Sequence, residues 1–419
     1  MAIIFPLKKS QFYLRFLIVG QNRLKLLSKT LIAALLVGGT SLGAGMLALP
    51  IATAGSSLLS SYVIYIICWL FSLSTGLLFV EIGLWMPKNA NIVSMANNIL
   101  GYKGNVAAWI LYIFLFYCLT IAYVSEGGRL ISQLLDEGGF LLFGNIIFSI
   151  FFGLFVYLGT KVVGKLNVVL MIGLIVFYII FIIIGVKNVK FDLLSTGGII
   201  PAVLGLPVIF TSFSYQGIIP SLLTYLNRDA KKMRIAIICG TSIPFIAYVI
   251  WDFIIKGIVP VNGLHGLMAA KQRGISAVEP LYYFVNNRYI YIAANFFAFF
   301  ALATSFIGVT LGLLDFLFDS LKVKKSKINK FVLCCVIYIP PIIVSVANPG
   351  IFITALSFAG GFGCVLLLGL LPTIMVWIGR YKIGYSSLHQ QLPGGRVVLV
   401  ILLIFIALEI IVEIIQQVY

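Results

Sequence analysis

Three stretches of this 419-residue chain set glycine and hydroxyl residues inside otherwise apolar helix, and each could hold a small charged solute. Residues 38–46 read GGTSLGAGM, with apolar sequence on both sides and Pro50 just beyond. Residues 207–225 read PVIFTSFSYQGIIPSLLTY, setting Thr211, Ser212, Ser214, Tyr215, Gln216 and Gly217 between apolar flanks ahead of Pro220. Residues 301–316 read ALATSFIGVTLGLLDF, with Thr304, Ser305 and Thr310 near the middle. In hydrocarbon an unpaired backbone N–H or C=O costs several kcal/mol, so such backbone must line a cavity or be wrapped in protein. The first two stretches predict interrupted helices. The N-terminal end of each half-helix offers free N–H groups and partial positive charge, which suit a carboxylate, while exposed carbonyls suit an ammonium group or a cation. The expected ligand is a zwitterion.

On this reading Gly39, Thr40, Gly43, Ala44 and Gly45 at the first break, and Phe210, Phe213, Tyr215, Gln216 and Gly217 at the second, are substrate contacts. Tyr117 and Tyr123 of the third helix add aromatic faces. Gly38, Ser41, Thr304 and Ser305 make a candidate cation site, and Glu81, a carboxylate within a span, is a proton-carrier candidate. Each group also has a plainer use. Gly39 and Gly43 suit close helix packing, helix hydroxyls bond back one turn, and aromatics are abundant enough to be packing. Glu81 and Asp315 lie near the basic face, where an ion pair would explain them.

The elements that must position these residues follow from composition. With 61% hydrophobic and 10% charged residues, the chain has more apolar surface than one soluble core could bury. Apolar runs of roughly 20 residues, enough to cross a bilayer at about 1.5 Å per residue, recur throughout. They predict an all-α polytopic membrane protein of about eleven helices, at 28–57, 61–86, 105–126, 140–159, 163–186, 199–226, 233–258, 289–318, 331–347, 350–378 and 397–416. Helices one and six, the broken ones, open two five-helix halves, 28–186 and 199–378, with the eleventh helix apart. Pro50 and Pro220 fall near matching places. Paired interruptions of this kind mark an inverted-repeat transporter with its site at mid-membrane.

The net charge of +17 would suit nucleic acid if it were clustered, but the cations are strung out between spans. Alternating the connections puts 22 of the 29 Lys and Arg on one side, leaving Arg129, Lys187, Lys190, Lys256, Lys271, Arg273 and Arg288 opposite. The positive-inside rule then sets the N-terminus in the cytoplasm and the C-terminus outside. Residues 1–27 form a basic extension, either an interfacial helix or a tail. Arg15 and Arg23 interrupt it, which disfavours a cleaved signal peptide. Residues 262–279 are expected to cap the outer entrance. The six cysteines all lie in apolar spans without Cys-x-x-Cys spacing, so they read as small core residues, and neither cofactor nor metal is expected. An ion channel would want a continuous polar stripe along several helices. A membrane-embedded enzyme would want converging His, Asp or Cys, yet His265 and His389 fall in loops on opposite sides.

Three motifs in order, GAGMLALP (43–50), LPVIFTSF (206–213) and LATSFIGVTLGLLDF (302–316), resemble the bacterial aromatic amino acid permeases, the tyrosine-specific and tryptophan permeases of the amino acid-polyamine-organocation group. The likeness runs from about residue 28 to the C-terminus. It implies a LeuT-type fold in the bacterial inner membrane, importing tyrosine, the favoured substrate, or tryptophan on a cation gradient, usually of protons. Two departures stand out. The N-terminal extension is long, and residues 168–185 of the fifth span lack the lysine that stands in for sodium in some proton-driven relatives. The resemblance therefore leaves proton and sodium coupling both open.

Overall fold

Where no water is available, a backbone must satisfy its own hydrogen bonds segment by segment, and the apolar runs fold accordingly as helices. A computed structural model describes residues 29–88, 90–135, 141–285, 288–324, 326–385 and 389–418, all helix and connections with no strand among them. The basic extension lies outside the described residues. Its chain-order elements begin with α1 (Lys29–Ser41), α2 (Ala44–Ala52), α3 (Leu58–Trp85), α4 (Ile92–Leu135), α5 (Leu141–Leu158) and α6 (Thr160–Gly185). They continue with α7 (Ile200–Leu204), α8 (Leu206–Ser212), α9 (Ile219–Tyr225), α10 (Ala230–Ile258), α11 (Leu267–Arg273) and α12 (Val278–Phe284). The last are α13 (Arg288–Ser320), α14 (Lys327–Ala347), α15 (Ile351–Phe358), α16 (Leu371–Ile378) and α17 (Gly395–Val418). Among the described residues, nine helices are long and apolar enough to cross a membrane, and α1 with α2, bent by 53° at their junction, make a tenth. The apolar helix at Leu142–Leu158 is shorter.

Several local features differ from the expectations. The third helix starts at Ile92, not near 105, because Asn91 caps it: Ser94 N donates to Asn91 Oδ1 at 2.8 Å and Asn91 N donates back to Ser94 Oγ at 2.9 Å. Gly101, at φ 69°, then turns the chain between the opening turns and the long remainder. The sixth element begins at Thr160, so Lys161 and Lys165 belong to its first turns. Pro50 and Pro220 are not equivalent. Pro50 lies inside α2, whereas Pro220 occupies the first turn of α9, where a missing N–H has no helical acceptor to lose. Lys256, counted with the outer-side cations at the end of the expected 233–258 helix, is indeed inside α10 and only 4% exposed, one turn after a fully buried Asp252 that balances it at 3.6 Å.

Both ends of the bundle are fastened. At the end where α1 begins, Asp229 caps α10 by accepting from Lys232 N at 3.1 Å, and the hydrogen bond from the Lys232 side chain holds its carboxyl below the usual range. At the opposite end the 262–279 stretch folds as α11 and its flanks over α2: Ala277 N donates to Leu47 O at 3.1 Å, and Lys271 Nζ donates to Ala52 O at 3.3 Å. Burial pushes that ammonium below the ordinary lysine range. This position also favours a cation, because Ala52 closes the C-terminal, partially negative end of α2.

In the span Ile351–Ile383 the helix widens to π geometry over Ala359–Leu370. Its glycines permit contacts that no side chain would: a Cβ on Gly360 would stand 1.8 Å from Pro207 O, and one on Gly361 2.5 Å from Glu413 Cγ. The π stretch thereby sits directly against α8 and α17. Such widened turns recur at functional sites.

Candidate functional site

The chain leaves helical geometry at Leu42 and Gly43, and again between Phe213 and Tyr215, after which a short 3-10 turn, Gln216–Ile218, leads into α9. Both breaks expected from the sequence are therefore present. They also touch: a Cβ on Gly45 would lie 2.6 Å from Ser212 Oγ and 3.0 Å from Ser212 Cα. Only glycine allows α2 to approach the end of α8 that closely.

Neighbouring helices hold each break open. At the first, Ala44 N donates to Ser305 Oγ of α13 at 3.3 Å, so one otherwise orphaned N–H of α2 is satisfied across the bundle. At the second, one face of α3 does the work. Ser72 Oγ donates to Phe213 O at 2.7 Å, and Gln216 Nε2 donates to Thr75 Oγ1 at 2.9 Å while its Oε1 accepts from Tyr215 N at 2.8 Å. Gly76, on the same face, leaves room for the Tyr215 hydroxyl.

A cavity of about 610 Å³ opens beside the junction, within the range of small-molecule pockets. Of the expected residues it brings together Gly39, Thr40, Ser41, Gly43, Ala44 and Gly45 with Tyr123, Tyr215, Gly217, Thr304 and Ser305. Thr211, Ser212 and Ser214 also line it, and the Tyr123 hydroxyl faces the Ser305 side chain. The remaining wall is mostly apolar or aromatic, with Tyr112, Leu115, Phe116 and Leu119 from α4, Met171 from α6, and Leu367 and Leu368 from the π stretch, and with Thr160 and Asn167 of α6 as polar exceptions. These were not singled out from sequence. The residues lining it from α1, α6 and α13 include Leu36, Gly164 and Gly312, so it extends toward the end where α1 begins.

Other expected contacts have different partners. Tyr117 donates its hydroxyl to Val336 O at 2.7 Å, Phe210 packs edge-on against Phe71 at 4.9 Å, and Phe213 packs against Tyr248 at 4.9 Å. The Gln216 side chain is committed to α3 through its Nε2 and to Tyr215 N through its Oε1, as above. Gly38 packs against α10, where its Cβ would meet Gly240 O at 3.0 Å. Thr304 Oγ1 donates back to Phe300 O at 2.9 Å, the plain use of a helix hydroxyl. Glu81 does not line the cavity: both its oxygens bind Arg380, at 2.6 and 2.7 Å, and Gln391 N donates to it at 2.9 Å. The ion pair gives Glu81 a structural task, joining α3 to the segment after α16. Arg380→Ala would leave the 1% exposed Glu81 carboxylate without its cation, at an expected cost of about 3–5 kcal/mol, read as a fall in unfolding midpoint in detergent. Unchanged stability in that variant would remove this role.

Comparison with known proteins adds three findings. The model of the tryptophan/tyrosine permease family matches residues 27–413, leaving only the basic extension and the last residues outside. A tyrosine-specific transport system 1 from Haemophilus influenzae is 32% identical over 391 residues, covering 90% of this chain and 94% of that protein. A tryptophan-specific transport protein from the same organism is 28% identical over 397 residues, covering 91% and 94%. Among solved structures, MhsT, crystallised in complex with L-phenylalanine, superposes with a TM-score of 0.61 at 16% identity, covering 92% of this chain and 97% of its own. At that identity the likeness concerns the fold.

Proposed function

The chain belongs to the tryptophan/tyrosine permease family, a family of membrane transporters and not of enzymes, and from that premise we propose that it imports aromatic amino acids, tyrosine first, by alternating access across the bacterial inner membrane. The observation that carries this is the cavity beside the touching breaks, polar where backbone is exposed and apolar elsewhere. The N-terminal end of α2, at Gly43, Ala44 and Gly45, receives the substrate carboxylate, with Gly217 on the facing break. Carbonyls near Ser212 and Ser214 accept from the ammonium group. The ring lies among Leu115, Leu119, Tyr123 and Leu367, where an aromatic side chain loses its water.

On the same reading the short helix at Leu142–Leu158 is also a span, giving eleven in all, arranged as two inverted five-helix halves and a final helix, the LeuT-type plan. With the N-terminus in the cytoplasm, as the positive-inside rule has it, the cavity faces inward and α11 closes the periplasmic end. The substrate is co-transported with a cation, a proton in our preferred version, and sodium held near Ser41, Thr304 and Ser305 in the alternative. Tryptophan is the alternative substrate, since relatives of both names align along nearly the whole chain.

Reconstituted into proteoliposomes, the protein is expected to accumulate labelled tyrosine under an imposed proton gradient, with tryptophan and phenylalanine competing in a measurable order. Accumulation driven by sodium alone would refute proton coupling. Failure to concentrate any aromatic amino acid under either gradient would sink the reading as a whole.

A further inference from the structure

Tyr248, on α10, is fully buried, and its hydroxyl lies 2.6 Å from two carbonyl oxygens, Ser41 O and Ser212 O. These are the last carbonyls of α1 and of α8, so a single side chain reaches the end of both interrupted helices. Carbonyls at the C-terminal ends of half-helices carry partial negative charge and are the groups that bind coupling cations in transporters built this way. Two of them converging on one point from opposite halves of the fold make half of a cation site. Here a phenol occupies that point. Its ring is fixed edge-on against Phe213 at 4.9 Å, leaving the oxygen little freedom to leave. A hydroxyl has one proton, so it donates to one carbonyl at a time and can alternate between the two.

We propose that the Tyr248 hydroxyl takes the place of a bound cation at the junction of the two broken helices, tying Ser41 to Ser212 with a proton where an ion would otherwise be needed. The inference rests on the transport reading for its purpose, and it makes Tyr248 a positioning residue that sets the distance between the two half-sites. It also has a consequence for coupling. No metal cation binds between these two carbonyls while the phenol is there, and substrate affinity through this junction is independent of sodium. Replacing the hydroxyl by hydrogen leaves both carbonyls facing a vacated position, and a small monovalent cation can then enter.

The test uses the full-length protein and Tyr248→Phe, compared in NaCl and choline chloride at equal ionic strength. In choline the variant's KM for labelled tyrosine should rise at least about tenfold, roughly 1.4 kcal/mol, with Vmax within about twofold. Sodium should bring that KM back toward the wild-type value and raise the variant's unfolding midpoint, measured without substrate, by more than it raises the wild type's. A wild-type KM in choline overturns the proposal. So does a raised KM, or a misfolded variant, on which sodium has no greater effect than choline. Should the wild type transport no aromatic amino acid, the transport reading fails, while the substrate-free midpoints still decide the role of Tyr248.

Discussion

Gly45→Leu and Gly43→Leu should each abolish uptake while leaving the protein in the membrane. The two sites differ in what an added carbon meets. At Gly43 the Cβ would stand 2.2 Å from Ser305 Oγ, the end of a side chain that can rotate, with Ser305 Cβ at 3.4 Å. At Gly45 it would meet Ser212 Oγ at 2.6 Å and Ser212 Cα at 3.0 Å, so backbone would have to move. Overpacking of this kind costs typically about 1–3 kcal/mol, which lowers substrate affinity by roughly fivefold to 140-fold if the strain falls on the bound geometry. Alanine should therefore be worse at 45 than at 43. Ser305→Ala should recover much of the loss in Gly43→Ala, because it deletes the clashing oxygen, and none of the loss in Gly45→Ala. Uptake at normal KM in Gly45→Leu would place the substrate elsewhere.

The breaks were legible in the sequence because their cause is local. Four glycines in eight residues weaken a helix wherever they occur, and a run such as Thr-Ser-Phe-Ser-Tyr-Gln can be tolerated at depth only beside protein or a cavity. The walls were less legible because their cause is not local. Helices α4 and α6 are apolar nearly all round, so periodicity does not say which face turns inward. Tyr112, Phe116 and Met171 line the cavity while Tyr117, one position along from Phe116, points to α14. Glu81 illustrates the same limit for charge. A carboxylate inside a span signals that some partner exists, and Arg380, nearly three hundred residues away, could not be assigned without the fold.

Lys256 is the second place where one substitution should have a large effect, and the direction of the asymmetry is predictable. Its ammonium lies 3.6 Å from Asp252 and also donates to Thr53 O, Ser56 Oγ and Ser61 Oγ, so it fastens α10 to the end of α2 and the start of α3. Asp252 has fewer partners. Neither of its carboxylate oxygens is in good hydrogen-bonding geometry with a donor, the buried Tyr65 hydroxyl is its other polar neighbour, and its charge is compensated by the lysine alone. Lys256→Met therefore strands a buried carboxylate, an uncompensated charge that costs about 3–5 kcal/mol, whereas Asp252→Asn leaves the ammonium with several oxygens and should cost less. The double variant removes both charges and should regain most of the stability lost in Lys256→Met, since apolar or neutral replacement of a whole buried pair is often close to neutral. Unfolding midpoints of the four proteins in detergent, treated as a double-mutant cycle, read this out directly. Additive losses would mean that the two groups do not compensate each other. On the proposed alternating-access reading, a strong coupling would mean that α2 separates from α10 only when Thr53 and Ser56 release the lysine, with the carboxylate one turn away compensating the ammonium during that release.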